Sequence, residues 1–300
     1  MRVIFLFISF LSFAQEQVAK GVVLDQVTNL PIPYVNISIL DSTVGTSSDE
    51  DGSYNLRIKE KNLKKRVKLT SLGYENHEIP VSSLLKSQNI FLKPKTETLE
   101  EVVIADKFEE KLKIVNKIED SDLCHGYGSI AENPWIMALY FPYLDAYDET
   151  QYLKSIKFHF GNFKNKKAKF RVRLFTIGTD SLPDKDLLKE NVIVKLKKKQ
   201  KETEINISDY DILFPSEGFY IAFEWLYIPY NAEEVTFHFT DKNKKKEKRM
   251  KYSPTLSATC AKEGDFVVAS YISGEWRFYV AKTSNNEYRA IPAISLTLSN

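Results

Sequence analysis

Three carboxylates beside a glycine are the residues near the start of this chain that could do chemistry. They lie in SDEDGSYNL, residues 48–56, around Gly52. A calcium loop of the helix–loop–helix type, with Gly52 as its sixth position, would run from Ser47 to Ile58, and neither end carries the required charge. Asp-Gly between alternating segments is a strong hairpin-turn signal, because glycine adopts positive φ without steric cost. We therefore predict a turn that requires no metal.

The remaining motifs of common enzymes and metal sites are missing. None of the four histidines begins an HxxE or HExxH arrangement, namely His77, His125, His159 and His238. No cysteine pair has the spacing of a zinc site, and G-x-S-x-G is absent. A triad assembled from distant positions stays open, since spacing alone does not exclude it. The sequence predicts no catalytic residue, no metal ligand and no cofactor.

Glu224 is the carboxylate for which the sequence supports a specific structural or functional role. Alternate residues from Phe219 to Tyr227 form an apolar face, and Glu224 is a lone carboxylate on the opposite face. Arg171 and Arg173 share one face of another predicted strand and could supply a bidentate partner if the two strands are neighbours. We predict a pair of Glu224 with Arg173, which is either a structural ion pair or the floor of a ligand-binding groove.

Cys124 and Cys260 are the only cysteines. In an oxidising compartment they could form a disulfide that ties the entry of the second half of the chain to its body. The alternative is two free buried thiols, which are also common. Trp135, Trp225 and Trp276 are interpreted as core anchors rather than as platforms on which sugars stack.

Composition and alternation predict a protein built from strands. Tyr and Phe number 16 and 19, whereas Gly and Met number 11 and 3, and this bias favours strands over helices. Alternation with period two in residues 34–39, 54–58 and 67–70 predicts half-buried strands. These strands define a first domain over residues 18–93.

The rest of the chain is predicted to form a larger domain. We predict a linker over residues 94–122, in which residues 109–122 are charged and helix-compatible and form either a short helix or part of the linker. About nine strands between Tyr152 and Leu298 predict a jelly-roll-like β-sandwich over residues 123–300. The predicted fold class is therefore all-β, with two β-sandwiches in series.

The N-terminus and the net charge bear on the compartment. Residues 1–14 combine Arg2 with a short apolar run and a small-x-small cleavage pattern, which predicts a signal peptide and an exported protein. No later stretch approaches the roughly 20 apolar residues of a membrane helix. The net charge of +2 implies no general attraction to nucleic acid. We expect the periplasm or the outer-membrane surface.

Four motifs in order carry a resemblance to a known family. They are KGVVLD at residues 20–25, LPIPYVNI at 30–37, DGSY at 51–54 and SLGYE at 71–75. This first part of the chain resembles the carboxypeptidase regulatory-like domain, a small prealbumin-like β-sandwich common at the N-termini of exported Bacteroidota proteins. LEEVVI, residues 99–104, resembles the segment that follows this domain in TonB-dependent outer-membrane transporters. The alternative for LEEVVI is a last strand or a linker.

The resemblance does not imply an enzyme. In the carboxypeptidases the regulatory module accompanies a separate zinc domain, and this chain carries no motif of that domain. The later half, with FRVRLF at residues 170–175, resembles the uncharacterised C-terminal half of Bacteroidota proteins that share the first domain, which adds no activity. We expect a non-catalytic cell-envelope protein that binds another envelope protein; the alternative is a carbohydrate-binding accessory module.

Overall fold

The computed structural model of the protein describes residues 16–95, 110–129, 133–161, 167–237, 246–262, 264, 266–282 and 288–300. Within them strands dominate, and α1, Val81–Lys86, is the only α-helix among these residues. The predicted all-β fold class is confirmed. No helix in the described part is long and apolar enough to cross a membrane. The predicted signal peptide and LEEVVI lie outside the described residues.

The first domain packs two sheets around one core. Its strands are β1 Gln17–Asp25, β2 Asn36–Ile39, β3 Gly45–Ser47, β4 Ser53–Ile58, β5 Arg66–Thr70, β6 His77–Pro80 and β7 Asn89–Leu92. The sheet orders are β4-β1-β7, in which β1 and β7 are parallel, and β3-β2-β5-β6. Tyr54, Leu56 and Ile58 of β4 are buried because alternate side chains of a strand share one face. The predicted N-terminal β-sandwich is confirmed.

The later part of the chain contains sixteen strands among the described residues. They are β8 Leu112–Val115, β9 Leu123–Ser129, β10 Ile136–Phe141, β11 Tyr152–His159, β12 Ala168–Ile177, β13 Pro183–Asp186, β14 Val192–Leu196, β15 Glu202–Asn206, β16 Phe219–Trp225, β17 Ala232–Phe237, β18 Glu247–Lys262, β19 Val268–Ile272, β20 Glu275–Phe278, β21 Ala281–Lys282, β22 Tyr288–Pro292 and β23 Ile294–Ser299. Short 3-10 helices occur at Glu60–Asn62, Asp120–Asp122, Asp145–Tyr147, Ser208–Tyr210 and Pro229–Asn231.

These strands form three sheets around a second core. The seven-stranded sheet runs β13-β12-β16-β10-β19-β20, with β14 also paired to β12. A four-stranded sheet runs β15-β11-β23-β8, and a five-stranded sheet runs β17-β18-β22-β21, with β9 paired to β18. Phe223 of β16, Phe158 of β11 and Leu256 of β18 belong to one buried cluster. The core therefore lies between the seven-stranded sheet and the other two sheets.

Strand β16 is buried on both faces. Alternate residues from Phe219 to Trp225 face the main core. On the opposite face Ala222 belongs to a separate apolar cluster. Just beyond the strand, Leu226 packs against Tyr34 of the first domain. Glu224 lies on this covered face, which explains why Ala222 and Leu226, two residues before and after it in the chain, are apolar.

The structure differs from the prediction at residues 94–122. Leu112–Val115 forms β8, an edge strand that pairs antiparallel with β23. Its residues alternate between exposed and half-buried, so no residue of the strand is fully buried. The apolar alternation that predicts a strand is therefore not distinct from the charged residues around it. The strand belongs to the second core's four-stranded sheet, although the predicted domain begins only at residue 123.

Candidate functional site

The register between β12 and β16 determines which residues meet at the candidate site. The two strands are adjacent and antiparallel, with Arg171 opposite Glu224 and Arg173 opposite Ala222. Residues two apart on a strand share a face, so both arginines lie on the same side of the sheet as Glu224. The directly opposite position is the closest one, and Arg171 occupies it.

Glu224 and Arg171 form a fully buried pair. Arg171 Nε donates to Glu224 Oε2 at 2.8 Å, and Arg171 Nη2 donates to Glu224 Oε1. Both side chains have 0% exposure. Asn36 Nδ2 adds a hydrogen bond of 2.8 Å to Glu224 Oε1, and Arg171 Nη2 donates to the backbone oxygen of Tyr34 at 2.9 Å. The carboxylate is therefore compensated by a guanidinium on its own sheet and an amide from the first domain.

Arg173 has a different principal partner from the predicted one. Its Nε and Nη2 donate to the two carboxylate oxygens of Asp186 at 2.8 and 2.6 Å. Its Nη1 lies 3.7 Å from Glu224 Oε2, and its guanidinium stacks 4.5 Å from the ring centre of Phe175. The predicted pair of Glu224 with Arg173 is thus the longer contact, because Arg171 takes the directly opposite position.

Glu224, Arg171, Arg173, Asp186 and Asn36 form one ion-pair network, and its geometry determines the charge state of its members. Burial would raise the pKa of Glu224, but the adjacent Arg171, Arg173 and the Asn36 hydrogen bond outweigh burial and hold the pKa below its ordinary value. Burial would lower the pKa of Arg173, yet Asp186 and Glu224 raise it. Glu224 and Arg173 therefore stay charged at neutral pH.

The network lies at the junction of the two domains. Besides Asn36 and Tyr34, the first domain contributes Glu50, which accepts a hydrogen bond of 2.9 Å from Lys169. The hydrogen bond to Glu50 raises the pKa of Lys169. Ser47 Oγ accepts from the backbone nitrogen of Tyr227 at 3.1 Å. Polar groups from both domains therefore pair across the junction, and all of them except the exposed Glu50 are buried.

A cleft opens beside this network. It has a volume of about 470 Å³, and both domains line it. The second domain contributes aromatic residues and carboxylates: Phe175, Tyr271, Trp276, Asp180, Asp184, Asp186 and Glu275, together with Arg173. The first domain contributes Lys68, Asn76 and Lys95 among others. Arg173 thus reaches the cleft, whereas Glu224 is buried behind it.

The opening stretch of acidic residues is a turn, as the sequence predicted. Gly52 adopts φ +75° and donates to the backbone oxygen of Asp49 at 3.0 Å. Asp51 accepts from the backbone nitrogen of Ser53 at 2.9 Å, which caps the turn from within. In the described part of the chain, no three His, Cys, Asp or Glu side chains are grouped so that they could hold a metal ion.

The two cysteines meet on neighbouring strands. Cys124 of β9 and Cys260 of β18 are joined by a disulfide, with Cα atoms 5.9 Å apart. β9 pairs antiparallel with β18, which brings together residues separated by 136 positions. The bond therefore clamps the first strand after the 3-10 helix at Asp120–Asp122 to the longest strand of the domain.

The histidines and tryptophans take varied positions. His159 is 3% exposed, and its burial lowers its pKa; His238 lies outside the described residues. Trp225 is fully buried and stacks on Trp135 with ring centres 4.6 Å apart. Trp276 is instead half-buried and lines the cleft, so it differs from the predicted core anchor.

Sequence reasoning missed several residues of the site. No local sequence pattern identifies Asp186 as a residue of the site, because its contact with Arg173 depends on β13 folding back along β12. In the sequence Asn36 is an ordinary polar position of an alternating strand, and Tyr271 is part of a core strand. The sequence signal that did identify the region is a lone carboxylate in an otherwise apolar strand.

The fold and the site define an all-β protein whose two domains share a buried charged junction and an adjoining cleft. Residues 19–104 match the CarboxypepD_reg-like domain family, so this part of the chain is such a domain. The TonB-dependent receptor SusC of Bacteroides thetaiotaomicron is 34% identical over 99 residues. The alignment covers 33% of this chain and 9% of that receptor, so the similarity concerns one domain of a much longer protein.

Proposed function

We propose that this chain is a non-catalytic, exported cell-envelope protein that acts by binding, and that the cleft between its two domains is the binding site. The observation that carries the proposal is the cleft itself, which both domains build beside a rigid ion-pair network. Its volume of about 470 Å³ falls in the range of roughly 300–1,000 Å³ usual for small-ligand sites. Arg173 shapes the floor, and Glu224 holds Arg173 in place from behind.

The charged groups at the floor are suited to binding rather than to chemistry. Arg173 and Asp186 satisfy each other through two hydrogen bonds. Glu224 is held ionised by two arginines and has no exposure. A general acid or base needs a pKa near the working pH and access to the substrate. We therefore expect purified protein to turn over neither peptides nor glycans.

The envelope location is supported by the first domain. The relative that shares it is named a TonB-dependent receptor, and the predicted signal peptide points to export. The aligned segment is a small part of the receptor, so we transfer only the compartment to this chain. Finding the intact protein in the cytoplasmic fraction of the producing cells would contradict this part of the proposal.

A protein partner is the second candidate, and one surface favours it. Phe278, at the end of edge strand β20, is 55% exposed, and Val267 and Val280 beside it are 40% and 59% exposed. Exposed apolar side chains in one place can mark a protein contact. A standard protein interface buries about 800 Å² on each side, and three apolar side chains cover only part of such an area. The cleft therefore supports a small ligand better.

Photo-crosslinking tests the proposed site and does not require that the ligand be identified first. A benzophenone amino acid replaces Lys95, which lines the cleft, or Lys61, which is exposed on the same domain away from it. Each variant is irradiated with envelope extract of the producing cell. We expect adducts at position 95 and none at position 61. Equal adducts at both positions, or none at position 95, would contradict the proposal, and protease digestion of the adduct separates protein from glycan.

A further inference from the structure

We propose that the ligand of the cleft is a neutral oligosaccharide, which stacks on Trp276 and donates hydroxyl hydrogen bonds to the surrounding carboxylates. This inference rests on the proposed function, because it names the ligand class of the same site. Four features of the cleft carry it: its aromatic wall, its balanced charges, a buried hydroxyl without a partner, and the rigid support of the wall.

The wall of the cleft is aromatic. Trp276 contacts Phe175 edge to face, with ring centres 5.3 Å apart, and Tyr271 in the same way at 5.4 Å. Tyr271 and Trp276 are opposite each other on β19 and β20, so both rings lie on one face of the sheet. Aromatic rings offer a large apolar surface at little cost in side-chain entropy, and a sugar ring presents C–H groups that can cover it.

The charges around the cleft favour a neutral ligand. The lining contains the carboxylates Asp180, Asp184, Asp186 and Glu275 and the cations Lys68, Lys95 and Arg173. Arg173 donates two hydrogen bonds to Asp186 and lies 3.7 Å from Glu224, so two carboxylates already balance its charge and its Nε–Nη2 edge is not open to a phosphate or carboxylate ligand. Carboxylates accept hydrogen bonds and lysines donate them, and a sugar hydroxyl does both. A ligand rich in hydroxyl groups can therefore form hydrogen bonds with both the carboxylates and the lysines of the cleft.

One polar group of the wall lacks a partner. Tyr271 is 7% exposed and lines the cleft, and its hydroxyl makes no hydrogen bond to any residue that the structure describes. Burial raises the pKa of this hydroxyl to about 12, and the neighbouring Thr70 side chain opposes the rise. A buried hydroxyl without a partner costs free energy that a ligand hydroxyl can recover. This group therefore points to a ligand with hydrogen-bonding capacity at the base of the cleft.

The wall is held in place by the first domain. The turn between β19 and β20 contains Ser273, whose Oγ donates to the backbone oxygen of Ser42 at 2.7 Å. Lys68 Nζ donates to the backbone oxygen of Gly274 at 3.1 Å. A Cβ at Gly274 would lie 2.5 Å from a methyl group of Leu40, so the turn sits directly on the first domain. Pre-organisation of this kind lowers the entropic cost of binding.

Titration of the full chain with neutral oligosaccharides tests the inference. The panel covers α- and β-linked glucans, mannans, galactans and xylans, and calorimetry and tryptophan fluorescence report binding. We expect saturable binding of at least one member at up to millimolar concentration. Trp276→Ala should weaken that binding by about tenfold or more, and Asp184→Asn should weaken it as well. Phe278→Ala removes an exposed aromatic ring from the same strand outside the cleft and should leave binding unchanged.

Three results would overturn the inference. They are the absence of binding by every member of the panel, equal losses in Trp276→Ala and Phe278→Ala, and full competition by inorganic phosphate. Circular dichroism of each variant ensures that a loss of binding is not a loss of fold. If the panel fails but position 95 still crosslinks to a polypeptide, the cleft is a binding site and only the oligosaccharide is wrong. If both experiments fail, the proposed function fails too.

Discussion

Glu224 illustrates how a buried charge becomes tolerable in this protein. Moving a carboxylate out of water costs several kcal/mol unless good geometry and further hydrogen bonds compensate it. Here Arg171 approaches with two donors, Asn36 with a third, and Arg173 adds its charge at 3.7 Å. A network with every member satisfied is stable as a unit, and the loss of one member leaves the others buried and unpaired.

Removal of Glu224 should therefore be strongly destabilising. Glu224→Ala leaves the Arg171 guanidinium buried without its counter-charge, and we expect the free energy of unfolding to fall by about 3–5 kcal/mol. Glu234→Ala is the matched control, because Glu234 pairs with Lys248 at 2.8 Å on the surface and should cost at most about 1 kcal/mol. Urea denaturation measures both. Similar small losses in the two variants would show that the buried pair is not compensated as described.

The lowered pKa of Glu224 predicts a pH dependence of stability. A carboxyl whose pKa is lower in the folded state contributes stability above its unfolded pKa, near 4.5, and loses it as the pH falls through the folded value. The difference in unfolding free energy between wild type and Glu224→Gln should therefore shrink between about pH 7 and about pH 3. The comparison cancels the contributions of other carboxyls. A difference that stays constant or grows on acidification would contradict the assignment.

At the scale of elements, the turn before β4 depends on Gly52. Its φ of +75° disfavours a side chain, and a Cβ would lie 2.9 Å from Pro31 Cβ and from the backbone oxygen of Val23. Gly73 has φ +79° but open space around it, so Gly73→Ala isolates the backbone effect. We expect Gly52→Ala to cost about 1–3 kcal/mol more than Gly73→Ala in urea denaturation. Equal losses of unfolding free energy in the two variants would show that the turn at Gly52 shifts to make room for the added methyl group.

The same turn should be indifferent to calcium. Asp51 is engaged by the backbone of Ser53, and the carboxylate of Glu50 by Lys169. We therefore expect calcium to raise the melting temperature of the protein no more than magnesium does. A clearly larger shift with calcium, abolished in Asp51→Asn, would show that the loop binds the ion.

The disulfide should contribute to the stability of the second sandwich. Cys124 and Cys260 close a loop of 136 residues, and chain entropy gives about 5 kcal/mol for a loop of this length. We expect reduction to lower the urea midpoint of the wild type, whereas reductant should leave a variant with both cysteines changed to Ser unaffected. Labelling of the denatured, unreduced protein should find no free thiol. Two reactive thiols per chain would rule the bond out.

At the scale of the whole molecule, the charged junction should make the two domains unfold together. All three tryptophans, at positions 135, 225 and 276, lie in the second domain, so their fluorescence reports that domain alone. Hydrogen exchange of peptides from β1 to β5 reports the first domain. We expect both probes to give one urea midpoint in the wild type and separate midpoints in Glu224→Ala. Two midpoints already in the wild type would show that the junction does not couple the domains.

Local patterns were enough to predict many of the strands and the turn at Asp51–Gly52, but not every strand, since β8 was missed. The alternation of residues 54–58 reflects one buried and one solvated face, and Asp-Gly at 51–52 reflects a backbone that needs positive φ. Both are properties of a few consecutive residues. For the same reason the all-β fold class and the resemblance of the first domain could be derived from the sequence.

The partners of Glu224 could be decided only by the tertiary structure. Arg171 and Glu224 are 53 positions apart, and the register of β12 against β16 sets which arginine lies opposite the carboxylate. Asp186 reaches Arg173 only because β13 folds back along β12, and Asn36 reaches Glu224 only because the first domain covers the outer face of β16. A sequence pattern shows that one face of a strand is polar or apolar. Which distant residues cover that face depends on sheet order and domain packing, because these bring together positions that no local period relates.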